Sequence, residues 1–128
     1  MFAMPLDTQV LIVEMGMRSL GEIELLSKYS EPDITVISNV GTAHIGILGS
    51  RKNIAIEKRK IFEYIPSDGA AFIPAEDDFA DFLGERVRGA VVLYGESVPE
   101  NDSGARFVED RGLEGTVFAL DGVEIHLR

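Results

Sequence analysis

Three side chains in the first half of the sequence have the chemistry of a site that handles metal ions or phosphate. Glu14 ends an apolar run that begins at residue 9, His44 lies in a glycine-containing segment, and Lys58 lies in a helical pattern. A carboxylate suits Mg²⁺, which takes oxygen ligands, and an imidazole can be a ligand or a general base. The alternatives are a solvated acid at a strand end and a loop histidine bonded to backbone.

The position of Lys58 is the most informative of the three. Ile54 precedes it by four residues and Ile61 follows it by three, so Lys58 lies in the middle of an apolar stripe that continues to Phe62 and Ile65. A lysine on a core-facing stripe must extend its amine to solvent, form a pair or lose its charge. Desolvation lowers the pKa of a lysine and makes the neutral amine accessible. Both an amine that reaches solvent and an amine available for chemistry remain open.

Other charged residues are expected to be solvated. The bases that fall mostly off the stripe are Arg51, Lys52, Arg59 and Lys60. The acids at a predicted helix N-terminus are Glu76, Asp77, Asp78 and Asp81. The acids at the helix N-terminus are favoured there by the helix dipole. A metal site formed by these acids is the alternative, but a solvated face is the more ordinary arrangement.

The elements that must position these residues alternate between strand and helix. Apolar runs and helical periodicity predict strands at 9–14, 34–38, 70–73 and 90–94, and helices at 19–30, 50–64 and 77–86. Residues 39–49 read as a loop. This alternation predicts a mainly parallel α/β sheet with flanking helices. Since Glu14 and His44 follow successive strands, we expect both near the carboxyl edge of the sheet, where ligands bind.

The first helix has its own signals. Ser19 is the expected N-cap, with Glu22 completing a capping box, and Leu20, Ile23, Leu26 and Tyr29 are the expected apolar face.

The pattern changes after Gly95. Residues 105–109, 115–120 and 123–127 read as short strands, Asp121-Gly122 is a hairpin signal, and 96–104 reads as a flexible loop. We predict one domain over 1–128, made of an α/β core (1–95) and an antiparallel part (105–128).

Composition excludes several classes of protein. The 128 residues contain no Cys, so a disulfide scaffold, a thiolate zinc site and a cysteine nucleophile are ruled out. Twelve basic and 22 acidic side chains give a net charge of −10, which disfavours nucleic acid as a partner. Residues 1–66 carry 7 basic and 8 acidic side chains, so phosphate chemistry is expected there. No apolar run is long enough for a membrane span and no secretory signal is visible, so we expect a cytoplasmic protein.

Several segments resemble the Mur ligases, the ATP-dependent amide ligases of peptidoglycan synthesis. The resemblance is carried by residues 14–18 (EMGMR) with 21–23 (GEI), by 39–44 (NVGTAH), and by 48–50 (LGS) with the Lys58 helix. The closing hairpin suits the end of the family's central domain. Residues 75–77 are loosely similar to an N-A-D segment, and Pro74 stands where the family tends to have an Asn near the adenine.

The resemblance implies a mechanism and a set of site residues. In the family, ATP phosphorylates a substrate carboxylate to an acyl phosphate, which an amine then attacks, with Mg²⁺ bound in the central domain. By resemblance, Glu14 and His44 are metal ligands, Lys58 is carbamylated and binds Mg²⁺ through its carbamate, and Asn39 contributes to nucleotide binding. Within the family, the EMG and GEI stretches are most similar to ligases that join D-Ala-D-Ala to UDP-N-acetylmuramoyl-tripeptide.

The sequence leaves alternatives open. The chain contains no GxxxxGK[ST] or GxGxxG motif, so we expect an incomplete central domain that is inactive by itself. Another Mur-type ligase, such as folylpolyglutamate synthase, would share the Glu, His and Lys positions. A non-catalytic acidic α/β binding module is the alternative from a different class. The oligomeric state is not readable from the sequence.

Overall fold

Helices and parallel strands alternate along the first part of the chain, and antiparallel strands follow. A computed structural model describes residues 4–98, 105–120 and 123–127. The elements are α1 (Glu22–Ser30), β1 (Ile34–Val36), α2 (Ile45–Leu48), α3 (Arg51–Arg59), a 3-10 turn (Lys60–Phe62), β2 (Ala70–Pro74), α4 (Ala80–Gly84), β3 (Ala90–Tyr94), β4 (Ala105–Asp110), a second 3-10 turn (Gly112–Glu114), β5 (Thr116–Leu120) and β6 (Val123–Leu127).

The two sheets confirm the predicted fold class. Strands β1, β2 and β3 form a parallel sheet in that order, with Ile34 opposite Ala70 and Ala70 opposite Ala90. Strands β4, β5 and β6 form a separate antiparallel sheet. The predicted turn at 121–122 and residues 99–104 of the predicted loop lie outside the described residues. The division into parts at 1–95 and 105–128 stays a prediction.

Helix α3 supplies much of the core of the α/β part. Its first turn is capped by Ser50, whose hydroxyl accepts a hydrogen bond from the N–H of Asn53 at 3.1 Å. Ile54 is 1% exposed, and the apolar stripe continues into the buried residues Phe62 and Ile65. The stripe packs in one cluster with β2 and α4. The helical periodicity around Lys58 therefore predicted the buried face correctly.

The predicted strand at 9–14 is wrong. Residues 9–14 have no regular secondary structure and are exposed, with Val10 at 76% and Ile12 at 90% of full exposure. A strand needs a neighbouring strand to satisfy its backbone N–H and C=O groups. In the described part of the chain, β1 pairs only with β2, and residues 9–14 pair with no strand. The apolar composition of the run is therefore not sufficient to form the element.

Helix α1 begins later than its capping signal predicts. Its N-cap is Gly21 in the left-handed conformation (φ 89°), not Ser19. The carboxylate of Glu22 does accept the N–H groups of Arg18 at 2.5 Å and Ser19 at 3.2 Å. Half of the predicted capping box is thus present, but it closes the turn before the helix.

The buried face of α1 also differs from the prediction. Of the four expected apolar residues only Ile23 is buried, and Leu20, Leu26 and Tyr29 are exposed. Ser27 is buried instead, and its hydroxyl donates a hydrogen bond to the carbonyl oxygen of Ile61 at 2.8 Å. The face of α1 that meets the 3-10 turn therefore includes a polar contact that the apolar spacing does not predict.

The described helices are short. The longest, α1 and α3, have nine residues each, so none of the helices in the described ranges can cross a bilayer.

Candidate active site

A cavity of about 260 Å³ lies beside the carboxyl end of β1, between residues 14–17 and helix α3. Its ionisable lining residues are Glu14, His44 and Lys58. The structure therefore brings the three sequence-derived candidates to one cavity, although 44 residues separate the first from the last along the chain. The roles assigned to them remain predictions.

Lys58 is half-buried at this cavity, and its ammonium donates a hydrogen bond to the carbonyl oxygen of Asn39 at 2.6 Å. Burial lowers the pKa of Lys58, while the negative charge of Asp77 acts in the opposite direction. The amine is thus paired with backbone and partly desolvated. A lowered pKa increases the fraction of neutral, nucleophilic amine at a given pH.

Two side chains bind the backbone of Val40, one at its N–H group and the other at its carbonyl oxygen. Asp77 accepts the N–H of Val40 at 2.5 Å, and Arg51 donates to the carbonyl oxygen of Val40 at 2.8 and 3.2 Å. Asp77 also accepts the N–H of Phe79 at 3.0 Å. The expectation that Asp77 and Arg51 are merely solvated is therefore wrong. Their contacts span 37 and 11 residues of sequence, so no local spacing could reveal them.

Arg51 makes two further contacts near the surface. It forms a bidentate pair with Asp78 at 2.5 and 2.6 Å, and its guanidinium carbon lies 5.1 Å from the ring centre of Phe79. The guanidinium lowers the pKa of Asp78 through these hydrogen bonds. Since the Asp78 side chain is 64% exposed, the pair adds little stability and serves mainly to orient Arg51.

His44 ends the loop in a backbone conformation that is uncommon for a residue with a side chain. Its φ is 65°, and its carbonyl oxygen accepts the N–H groups of Ile47 and Leu48 at 2.9 and 3.0 Å as α2 begins. Left-handed conformations of non-glycine residues cost free energy and are concentrated at functional sites. The side chain is exposed and borders the cavity.

Glu14 lies at the other side of the cavity, in the segment that leads to α1. Met17 of this segment is buried in the core, and the N–H of Gly21 donates to Oε1 of Glu57 at 2.6 Å. Glu57 is 0% exposed, and its other oxygen lies 2.9 Å from the ammonium of Lys60. Glu57 is not among the site residues that the sequence predicts. The available signal was that it lies three residues after Ile54 on the core-facing side of the helix.

Asn39 takes part through its backbone and side chain. Its carbonyl oxygen accepts the Lys58 bond, and its amide oxygen accepts the N–H of Gly41 at 3.2 Å, which closes a local turn. Within the described residues, no group of three or more His, Cys, Asp or Glu side chains is placed to hold a metal ion. Glu14 and His44 therefore form at most an incomplete set of ligands by themselves.

An open parallel sheet with a cavity at the carboxyl end of a strand is the arrangement of ligand-binding α/β domains. The class that the fold and cavity define is thus an α/β ligand-binding domain. The family model of the Mur ligase middle domain matches residues 1–128. The chain belongs to this family.

Named relatives agree with this assignment. The chain is 35% identical over 122 residues to a UDP-N-acetylmuramoyl-tripeptide–D-alanyl-D-alanine ligase of Bacillus subtilis, covering 95% of the chain and 26% of the relative. It is 36% identical over 126 residues to the ligase of the same name from Treponema pallidum, again covering 95% and 26%. The chain spans about a quarter of the length of these relatives.

Solved structures show the same fold. A crystal structure of MurF from Acinetobacter baumannii matches with a TM-score of 0.67 and 26% identity, over 89% of this chain and 25% of that one. The MurF ligase of Thermotoga maritima, solved in complex with ADP, matches with a TM-score of 0.63 over 83% and 24% of the two chains. At 22% identity, the second match concerns the fold alone.

Proposed function

We propose that this chain provides metal- and nucleotide-binding residues of a ligase that joins D-Ala-D-Ala to UDP-N-acetylmuramoyl-tripeptide with ATP. The observation that carries the proposal is that Glu14, His44 and Lys58 line one cavity. The substrates are taken from the names of the Bacillus subtilis and Treponema pallidum relatives. Those names favour this ligase over folylpolyglutamate synthase and over a non-catalytic module.

The side chains at the cavity fit Mg²⁺ on one condition. Glu14 offers carboxylate oxygens and His44 an imidazole nitrogen, but the ammonium of Lys58 would repel a cation. The neutral Lys58 amine can attack CO₂ and lose a proton, which gives an anionic carbamate. Glu14, His44 and this carbamate would then hold Mg²⁺ together with phosphate oxygens of ATP. Bound there, Mg²⁺ would offset negative charge on the transferred phosphoryl group.

The proposed reaction has two steps. A carboxylate oxygen of the tripeptide substrate attacks the γ-phosphorus of ATP, which forms an acyl phosphate and releases ADP. The amine of D-Ala-D-Ala then attacks the acyl carbon, loses a proton and expels phosphate. Apolar side chains of Met17, Ile23 and Ile54 form part of the cavity wall.

Two further statements belong to the same proposal. Asn39 contributes to nucleotide binding by fixing the loop that leads to His44, through the bonds at its carbonyl and amide oxygens. The protein acts in the cytoplasm, where ATP and nucleotide-linked sugars are available.

A chimeric enzyme tests the proposal directly. Residues 1–128 replace the matching segment of the Bacillus subtilis relative, and phosphate release is measured with ATP, D-Ala-D-Ala and UDP-N-acetylmuramoyl-tripeptide. We expect release that requires all three substrates. Lys58→Ala should abolish it, whereas Lys52→Ala, an exposed lysine on the same helix, should leave it unchanged. A folded chimera that binds ATP but ligates equally well without Lys58 would contradict the assignment.

A further inference from the structure

A buried carboxylate lies behind the cavity, on the helix that carries Lys58. Glu57 is the only charged residue that is fully buried among those whose exposure the structure describes, with 0% of its surface exposed. Burial of a carboxylate is costly unless it is paired and hydrogen-bonded. Lys60, one turn further along, offsets the charge with its ammonium 2.9 Å away. Lys60 also lies 3.5 Å from Glu24 of α1.

The hydrogen bond of Glu57 is made to a different part of the chain. Oε1 accepts the backbone N–H of Gly21 at 2.6 Å, across 36 residues of sequence. Gly21 is the N-cap of α1, so its N–H has no acceptor inside that helix. The positive φ of 89° at Gly21 shapes the turn into α1 at this point. One hydrogen bond to a charged acceptor therefore connects the turn into α1 with helix α3.

The position of Glu14 depends on contacts between its own segment and the rest of the fold. Residues 9–13 form no strand and are exposed, so they do not fix Glu14 from the N-terminal side. On the C-terminal side, Met17 is 6% exposed and Glu22 accepts the N–H groups of Arg18 and Ser19. The contacts of Glu22 are local, whereas the bond from Gly21 to Glu57 ties this segment to another element.

We infer that Glu57 is a positioning residue that fixes the segment carrying Glu14 against helix α3, so that Glu14 and Lys58 face one cavity. The inference rests on the proposed function for the role of Glu14, and it adds the hydrogen bond that positions the segment carrying Glu14. Glu57 itself does not line the cavity. Helix α3 thus contributes Lys58 to the cavity, and the adjacent residue Glu57 binds the segment that carries Glu14 on the other side of the cavity.

Three substitutions of Glu57 separate its hydrogen bond from its charge. Glu57→Gln keeps an oxygen that can accept from Gly21 but removes the charge. Glu57→Asp keeps the charge but withdraws the oxygens by about 1.5 Å, one carbon–carbon bond. Glu57→Leu removes both. Glu63→Asp, at an exposed glutamate, is the control for shortening an acid in this region.

Amide hydrogen exchange of the 128-residue chain, followed by NMR, gives the readout. We expect the Gly21 amide to exchange at least about tenfold faster in the Asp and Leu variants, as loss of a hydrogen bond to a charged group requires. The Gln variant should stay within about threefold of the unsubstituted chain, well inside the factor of ten that 1.4 kcal/mol represents. Amide shifts of residues 14–17 should move with Asp and not with Gln. The Val40 amide, which is bonded to Asp77, should exchange unchanged and reports on overall integrity.

The unsubstituted chain provides a second measurement that needs no variant. A scalar coupling across the hydrogen bond, between the Gly21 nitrogen and the Glu57 carboxylate carbon, is expected. Absence of this coupling, equal exchange of Gly21 in the Asp variant and the unsubstituted chain, or equal acceleration in Gln and Asp would each overturn the inference. The chimeric enzyme tests the proposed function separately, through the loss of phosphate release expected in Glu14→Ala. If Glu14→Ala keeps full phosphate release while Gly21 exchange follows the expected pattern, the metal role of Glu14 fails and the positioning role of Glu57 stands.

Discussion

Replacement of Asp77 by alanine is expected to lower the free energy of unfolding by about 3 kcal/mol, since two hydrogen bonds to a charged acceptor contribute roughly 1.5 kcal/mol each. These are the bonds from the N–H groups of Val40 and Phe79, at 2.5 and 3.0 Å. Val40 is 1% exposed, so water cannot replace the lost acceptor at its N–H without local opening. The neighbouring Asp78 is the matched control, because it makes a bidentate pair with Arg51 but its side chain is 64% exposed. Asp78→Ala should cost less than about 1 kcal/mol.

Urea unfolding of the 128-residue chain, followed by circular dichroism, measures both costs under the same conditions. Both variants replace an aspartate by alanine, at adjacent positions and with the same change in charge. A difference of about 2 kcal/mol in their free energies of unfolding is therefore due to the hydrogen bonds that Asp77 accepts. Equal costs for the two variants would refute the reasoning, because they would mean that the Val40 peptide needs no side-chain acceptor.

The same variant has a second readout at Lys58. Asp77 raises the pKa of Lys58 against the effect of burial, so Asp77→Ala should lower that pKa further. An NMR titration of the Lys58 ε-carbon measures the change, with Asp78→Ala again as the control. A pKa of Lys58 that rises in Asp77→Ala would contradict the electrostatic part of the argument.

Three further predictions follow from the site. Lys60→Met should destabilise the chain by about 2 kcal/mol at pH 7, because it leaves Glu57 buried without a cation. The folded state raises the pKa of Lys60 above 10.5, mainly through its hydrogen bond with Glu57. This stabilisation is therefore complete below pH 10.5 and is lost as the pH rises through the raised pKa. In strong alkali, the free energies of unfolding of Lys60→Met and the unsubstituted chain, measured with urea, should converge. The isolated chain should not hydrolyse ATP, because its sequence contains no phosphate-loop motif. For the same reason it should bind Mg-ATP with a Kd no better than millimolar, a binding free energy of about 4 kcal/mol. Micromolar binding in a calorimetric titration would contradict this and would require a further phosphate site. Bicarbonate should fail to restore activity to the Lys58→Ala chimera, since alanine has no amine to carbamylate, and recovery of phosphate release would exclude the carbamate role.

Local patterns predicted the part of the site that depends on one helix. The spacing of Ile54, Ile61 and Phe62 predicts an apolar stripe that runs from α3 into the following 3-10 turn, and it places Lys58 in the middle of that stripe without knowledge of any other element. The same spacing contained the signal for Glu57, which is buried on that face. A carboxylate at such a position requires partners, and only the structure identifies them as Gly21 and Lys60.

Features that depend on distant partners were not predictable. The apolar run at 9–14 satisfies every composition rule for a buried strand, yet burial is a property of the neighbours and not of the run. The roles of Asp77 and Arg51 fail for the same reason, because both bind the Val40 peptide from other parts of the chain. The strands at 90–94 and 123–127, which pair within the described chain, were predicted with their correct bounds.

The exposed apolar run has a consequence for the behaviour of the protein in solution. Residues 10–13 carry no charge, and in the described part of the chain β1 leaves one edge unpaired. Uncharged apolar segments and open strand edges associate between molecules when they meet. At neutral pH a net charge of −10 keeps the molecules apart, but near the isoelectric point of about 4.5 that repulsion disappears. Acidification toward this pH should therefore promote association of the 128-residue chain through this run, and neutral to mildly alkaline buffers should keep it dispersed.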